Sequence, residues 1–226
     1  MDINILNKIA VEMVADSKGI LAIDESHGTC KKRFDALNID VTEENRRSYR
    51  DMLISANSLS DYISGAILFD ETIRQKTSEG STFPDYLDKV GIIPGIKVDA
   101  GAKPFSSHPN EKITEGLDNL TERMKEYSSL GAKFAKWRAV ITIGENIPSS
   151  ACMLANSHAL ARYASICQEI NIVPIVEPEV LMDGSHNINK CFEVTNTMQS
   201  ILFETLDKLD INFSGIILKP NMITPG

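Results

Sequence analysis

Gly215-Ile216-Ile217-Leu218-Lys219-Pro220 is an apolar run that ends on a lysine and is stopped by proline. It reads as a buried strand that delivers an amine at its C-terminal end. Proline has no backbone N–H and cannot continue a ladder there. A lysine at such a place is costly unless it is neutral or paired. A partly desolvated amine is the nucleophile that imine chemistry needs. Taken alone, a lysine at a strand end is an ordinary surface residue, and only its apolar lead-in sets this one apart.

Outward from that strand the same design repeats. β-rich runs lie at 19–24, 65–69, 92–98, 134–141, 172–177 and 215–218, with helical patterns between them. Leu6, Ile9, Ala10, Met13 and Val14 give one apolar face, with Gly19 placed as the C-cap beyond it. Leu117, Leu120, Met124 and Tyr127 form a second stripe before Gly131, and Val194, Met198, Ile201, Leu202 and Thr205 a third. Thr42 is the expected N-cap of a helix carrying Asn45-Arg46-Arg47-Ser48-Tyr49-Arg50, with Glu43 and Glu44 favourable in its first turn. Pro148-Ser149-Ser150 opens an Ala-rich helix through Cys167. Phe105-Ser106-Ser107-His108-Pro109-Asn110 reads as a loop.

Strands alternating with helices imply βαβ units and a parallel sheet. An open dinucleotide-binding sheet would want G-x-G-x-x-G after the first strand, and Asp24-Glu25-Ser26-His27-Gly28 offers nothing like it. A (β/α)8 TIM barrel is favoured, because ionisable residues recur where barrel enzymes keep their chemistry, at strand C-termini. Asp24, Lys97 with Asp99, Lys136 with Arg138, Glu177 with Glu179, and Lys219 all occupy such places. Residues two apart on a strand share a side, so Lys136/Arg138 and Glu177/Glu179 each project as a pair. A barrel needs eight strands and six are visible, so the expectation is one domain over 1–226 that lacks its last two βα units.

The 226 residues carry a net charge of −8, which argues against a nucleic-acid or anionic-membrane partner. No stretch approaches the ~18 apolar residues of a membrane span. Cys30, Cys152, Cys167 and Cys191 are widely spaced and read as reduced thiols of a cytoplasmic protein. His27, His108, His158 and His186 lack metal-ligand spacing.

Several of these segments together resemble the class I fructose-bisphosphate aldolases. They are Gly19-Ile20-Leu21-Ala22-Ile23-Asp24-Glu25-Ser26, Thr42-Glu43-Glu44-Asn45-Arg46-Arg47, Gly95-Ile96-Lys97-Val98-Asp99 and Phe134-Ala135-Lys136-Trp137-Arg138. Ala161-Arg162-Tyr163-Ala164-Ser165-Ile166-Cys167-Gln168, Val173-Pro174-Ile175-Val176-Glu177-Pro178-Glu179 and Leu218-Lys219-Pro220-Asn221-Met222 match as well. Ile23 departs from the alanine usual in the family, a change expected to be felt in packing at the barrel floor.

The resemblance implies a reversible, cofactor-free and metal-free cleavage of fructose 1,6-bisphosphate into dihydroxyacetone phosphate and glyceraldehyde 3-phosphate. It makes Lys219 the Schiff-base nucleophile, Glu177 the acid/base for carbinolamine dehydration, and Asp24 the base for the C4 hydroxyl. Lys136 would stand beside Lys219 and Glu179 would balance the cations. Lys97 and Arg138 would hold a substrate phosphate, with Ser26 and Thr29 adding hydrogen bonds. The family further implies a homo-oligomer, a tetramer. Each residue also has a plainer reading: Asp24 as a helix N-cap, Glu177 and Glu179 as loop carboxylates beside a proline, Lys136 and Arg138 as structural ion-pair partners, Trp137 as packing, and His186 as a loop residue. The alternative for the whole chain is an inactive part-barrel with a structural or interaction role.

Overall fold

Six parallel strands hydrogen-bond side by side and curl into an open half-barrel in the computed structural model, which describes residues 1–226. In chain order the elements are α1 (Ile3–Met13), β1 (Gly19–Ala22), α2 (His27–Asp35), α3 (Glu43–Ile54), α4 (Leu59–Tyr62), β2 (Ile63–Leu68), α5 (Asp70–Ile73), α6 (Phe83–Lys89) and β3 (Ile93–Lys97). They continue with β4 (Ala102–Pro104), β5 (Lys112–Thr114), α7 (Leu120–Ser129), β6 (Phe134–Ile141), α8 (Ser150–Glu169), β7 (Val173–Val180), α9 (Ile188–Lys208) and, after a 3-10 turn, β8 (Ile217–Leu218). The sheet order is β1-β2-β3-β6-β7-β8, which leaves β1 and β8 as its edges.

Local signals start the helices where expected. Thr42 Oγ1 accepts from Asn45 N at 3.1 Å to open α3, and Ser149 Oγ accepts from Cys152 N at 3.1 Å to open α8. The first helix differs: it ends at Met13 with Val14 as C-cap, and Gly19 is already the first residue of β1. The expected loop at 105–110 is the turn of an antiparallel hairpin, in which Lys103 pairs with Ile113. Three-residue strands carrying lysine and proline give no alternation to read.

Period-two alternation separates the outer and inner faces of the sheet, which feed two of three hydrophobic clusters. Outward-facing Ile23, Leu68, Ile96 and Trp137 pack under the helices with Leu160, Tyr163 and Leu202. Inward-facing Ile67, Phe134, Val173 and Ile175 pack against Leu6, Ala10 and Met13 of α1, which seals the lower end of the half-barrel. Each such fully buried side chain contributes roughly 1.5–3 kcal/mol. Phe134 needs room across two strands. A Cβ on Gly95 would lie 2.3 Å from its ring, and one on Gly65 would lie 3.0 Å away. Ile23 therefore belongs to the outer layer rather than to the barrel floor, because it points opposite to Asp24.

β7 is longer than its apolar run indicates and pairs with β6 in continuous register from Phe134↔Val173 to Ile141↔Val180. Val173 N and Leu181 N both donate toward the β6 side, so by alternation Pro174 and Pro178 face the β8 side. There β8 pairs only with Ile175 and Val176, and no ladder bond is lost to either proline. Glu177 and Glu179 thus sit within the strand, both facing inward, rather than on a loop.

Candidate active site

Above the Phe134 layer the inward positions turn ionisable. Lys97 and Lys136 are register partners on β3 and β6, and Arg138 is the partner of Glu177 on β6 and β7. Asp24 follows the end of β1. Its helix-capping role is taken by Ser26, whose Oγ accepts from Thr29 N, so the Asp24 carboxylate is free to reach across the barrel. Lys136 Nζ donates to Asp24 Oδ2 at 2.8 Å and stands 3.6 Å from Glu177 Oε2. Lys219 Nζ donates to the other Glu177 oxygen. One carboxylate, with its side chain 3% exposed, thereby lies between two lysines from different strands.

The two lysines differ in setting. Burial of Lys136 works to lower its pKa, but Asp24 and Glu177 outweigh that effect and raise it above the usual lysine value, so the group is held as a cation. Lys219 leaves the two-residue edge strand β8 with its side chain 49% exposed. Ile217 and Leu218 have a neighbour on one side only, and they are half-buried. Glu177 Oε2 is buried without a hydrogen-bond partner, its nearest cation being Lys136 at 3.6 Å.

Beside these groups lies a cleft of about 550 Å³ lined by Asp24, Ser26, Thr29, Lys97, Lys136 and Arg138. Its cations are counterbalanced. Lys97 Nζ donates to Asp99 Oδ1 at 2.8 Å, and Arg138 donates to Glu179. Ser26 Oγ and Thr29 Oγ1 lie 3.2 Å apart at its rim. Every residue expected in the site converges on this end of the sheet. Asp99 reads from the sequence only as a strand end, yet its carboxylate is 3% exposed and holds Lys97, Gly101 N at 3.0 Å and Arg138 N at 3.3 Å. The β4–β5 hairpin is fixed to the same strand by Thr114 Oγ1 donating to Arg138 O at 2.8 Å. Trp137 is fully buried in the outer core, and His186 lies on the segment between β7 and α9.

The sequence profile of the glycolytic family described as fructose-bisphosphate aldolase class-I matches residues 5–226. The chain belongs to the class I fructose-bisphosphate aldolase family. It is 58% identical over its full length to a Xanthomonas axonopodis pv. citri protein named probable fructose-bisphosphate aldolase class 1, and spans 68% of that protein. It is 48% identical to fructose-bisphosphate aldolase 2 of Caenorhabditis elegans, covering 98% of this chain and 60% of that one. A Plasmodium falciparum fructose-bisphosphate aldolase, solved in a complex with TRAP and a small-molecule inhibitor, superposes with a TM-score of 0.97 at 47% identity. The match covers 99% of this chain and 65% of that structure, so the six strands correspond to about two thirds of the aldolase. No helix of the chain is long and apolar enough to cross a membrane.

Proposed function

We propose that this aldolase chain cleaves fructose 1,6-bisphosphate through a Schiff base on Lys219. The observation that carries the reading is the Glu177 carboxylate set between Lys219 and Lys136, with one oxygen free of hydrogen bonds. Lys219 Nζ, as free amine, attacks the ketose C2 carbonyl and gives a carbinolamine. Glu177 supplies the proton with which the hydroxyl leaves as water, forming the iminium. That cation accepts the electron pair of the C3–C4 bond as Asp24 removes the C4 hydroxyl proton, and glyceraldehyde 3-phosphate departs. Protonation of the enamine and hydrolysis of the iminium release dihydroxyacetone phosphate. The Lys136 cation stabilises charge developing beside Glu177, and Glu179 restrains Arg138.

The opposite wall binds phosphate in this scheme. Lys97 and Arg138 exchange their carboxylate partners for phosphate oxygens, Arg138 by a two-pronged contact, and Ser26 and Thr29 donate from the rim. The chain acts as one domain over 1–226, in the cytoplasm, and assembles as a homotetramer, with a sugar phosphate as its ligand and neither nucleic acid nor membrane as partner.

Borohydride reduction in the presence of dihydroxyacetone phosphate, followed by peptide mass spectrometry, tests the reading. A triose-phosphate adduct on Lys219 is the expected result. An adduct on another lysine would reassign the nucleophile. Absence of any adduct would favour the inactive part-barrel.

A further inference from the structure

We propose that Arg50 is a positioning residue of the lyase site, clamping the backbone on both sides of Asp24 so that its carboxylate meets Lys136. The role rests on the lyase reading of Asp24 given above.

Asp24 itself is not part of the ladder between β1 and β2. It lies beyond the last residue of β1. The last ladder contact before it is Ile23 N donating to Ile67 O at 3.1 Å. Arg50 supplies the missing restraint from behind. Its Nε donates to Ile23 O at 3.2 Å and its Nη2 to Glu25 O at 2.5 Å, so one guanidinium bonds the carbonyls on either side of Asp24. Glu25 O has one further donor, the weak Cys30 thiol at 3.9 Å, so Arg50 supplies the main satisfaction of both carbonyls.

The clamp is itself rigid. Arg50 is 0% exposed, its guanidinium carbon lies 5.6 Å from the centre of the Phe69 ring, and Nη1 stands 3.4 Å from Glu71 Oε1. Glu71 is anchored in turn by Arg46, whose Nε and Nη2 donate to its two oxygens at 2.9 and 2.6 Å. Arg46 and Arg50 stand one turn apart on α3, so the Asn45–Arg50 segment braces Asp24 without touching the cleft. A planar guanidinium can bond two divergent carbonyls at once, whereas a lysine ammonium on its flexible stem cannot reproduce that fork.

The test pairs Arg50→Lys with Asp24→Asn, singly and together, with folding verified by circular dichroism. Two readouts are taken. One is the relative reactivity of Lys136 in competitive acetylation, read by mass spectrometry on each whole chain with Lys97 as internal reference. The other is kcat and KM for fructose 1,6-bisphosphate. Arg50→Lys is expected to raise Lys136 reactivity severalfold, because a displaced Asp24 no longer holds that amine protonated, and to lower kcat about 100-fold with KM within threefold. In the Asp24→Asn background the same change should add nothing to either readout. Unchanged Lys136 reactivity in folded Arg50→Lys overturns the clamp, as does a loss that multiplies fully in the double variant. Raised Lys136 reactivity in a chain without any lyase activity supports the clamp and counts only against the functional reading. If Arg50→Lys does not fold, Glu71→Gln takes its place. It loosens the brace and keeps both carbonyl bonds, and it should give the same pattern at smaller amplitude.

Discussion

Lys136 and Lys219 touch opposite oxygens of one carboxylate, yet they occupy different parts of the sheet. β6 has β3 on one side and β7 on the other, and Lys136 is 7% exposed between Asp24 and Glu177. β8 has a single neighbour, and half of the Lys219 side chain meets solvent. Lys136 thus stands between two carboxylates, whereas Lys219 has Glu177 alone. Burial alone would push Lys136 toward neutrality, but two buried carboxylates reverse that effect. A nucleophile must instead shed its proton, which suits the lysine with the single carboxylate partner.

Substitutions at the two lysines should separate activity from stability. The largest effect expected is on turnover: Lys219→Met lowers fructose 1,6-bisphosphate cleavage by more than about 10⁴-fold. Its urea midpoint should stay close to wild type, since a half-exposed pair contributes about 0–1 kcal/mol. A large loss of stability in that variant would break the contrast drawn here. Lys136→Met should behave oppositely in urea unfolding. It strands Asp24 and Glu177 without their cation, and losing one partner of a buried pair costs about 3–5 kcal/mol.

The apolar floor offers a control without charge. Gly95→Ala should destabilise the chain by about 1–3 kcal/mol, because the added Cβ meets the Phe134 ring at 2.3 Å and the ring belongs to a buried cluster with Leu6, Met13, Ile67 and Val173. Phe134→Leu in the same chain should recover part of that loss. A wild-type midpoint in Gly95→Ala would show that the floor is loosely packed.

The smallest effect expected is on pH dependence. The folded pKa of Lys136 lies above its unfolded value, so its contribution to stability is complete below about 10.5 and is lost as pH rises through the folded value. The difference in urea stability between wild type and Lys136→Met should therefore shrink as pH is raised beyond 10.5. A difference that stays constant or grows there would mean that Lys136 stabilises the fold by packing rather than by charge.

Much of this site was legible along the chain. Spacing of two put Lys136 with Arg138 and Glu177 with Glu179 on shared faces, and the capping residues Thr42 and Ser149 were plain. What escaped had weak or misleading local signals. Pro178 argued for a strand end, and only the absence of β8 beside it allows β7 to continue to Val180. Arg50 resembled any helix arginine until the backbone at Ile23 and Glu25 came within its reach.

The sequence by itself determined the alternation of strand and helix, which side chains share a face, and where most helices begin, because these follow from repeats of two and 3.6 residues and from caps a few positions away. Only the tertiary structure decided which charges meet. Lys136 and Asp24 are 112 residues apart, and Lys219 and Glu177 are 42 apart. Their partnership depends on sheet register and curl, which bring the ends of separate strands to one place, and no local pattern encodes that distance.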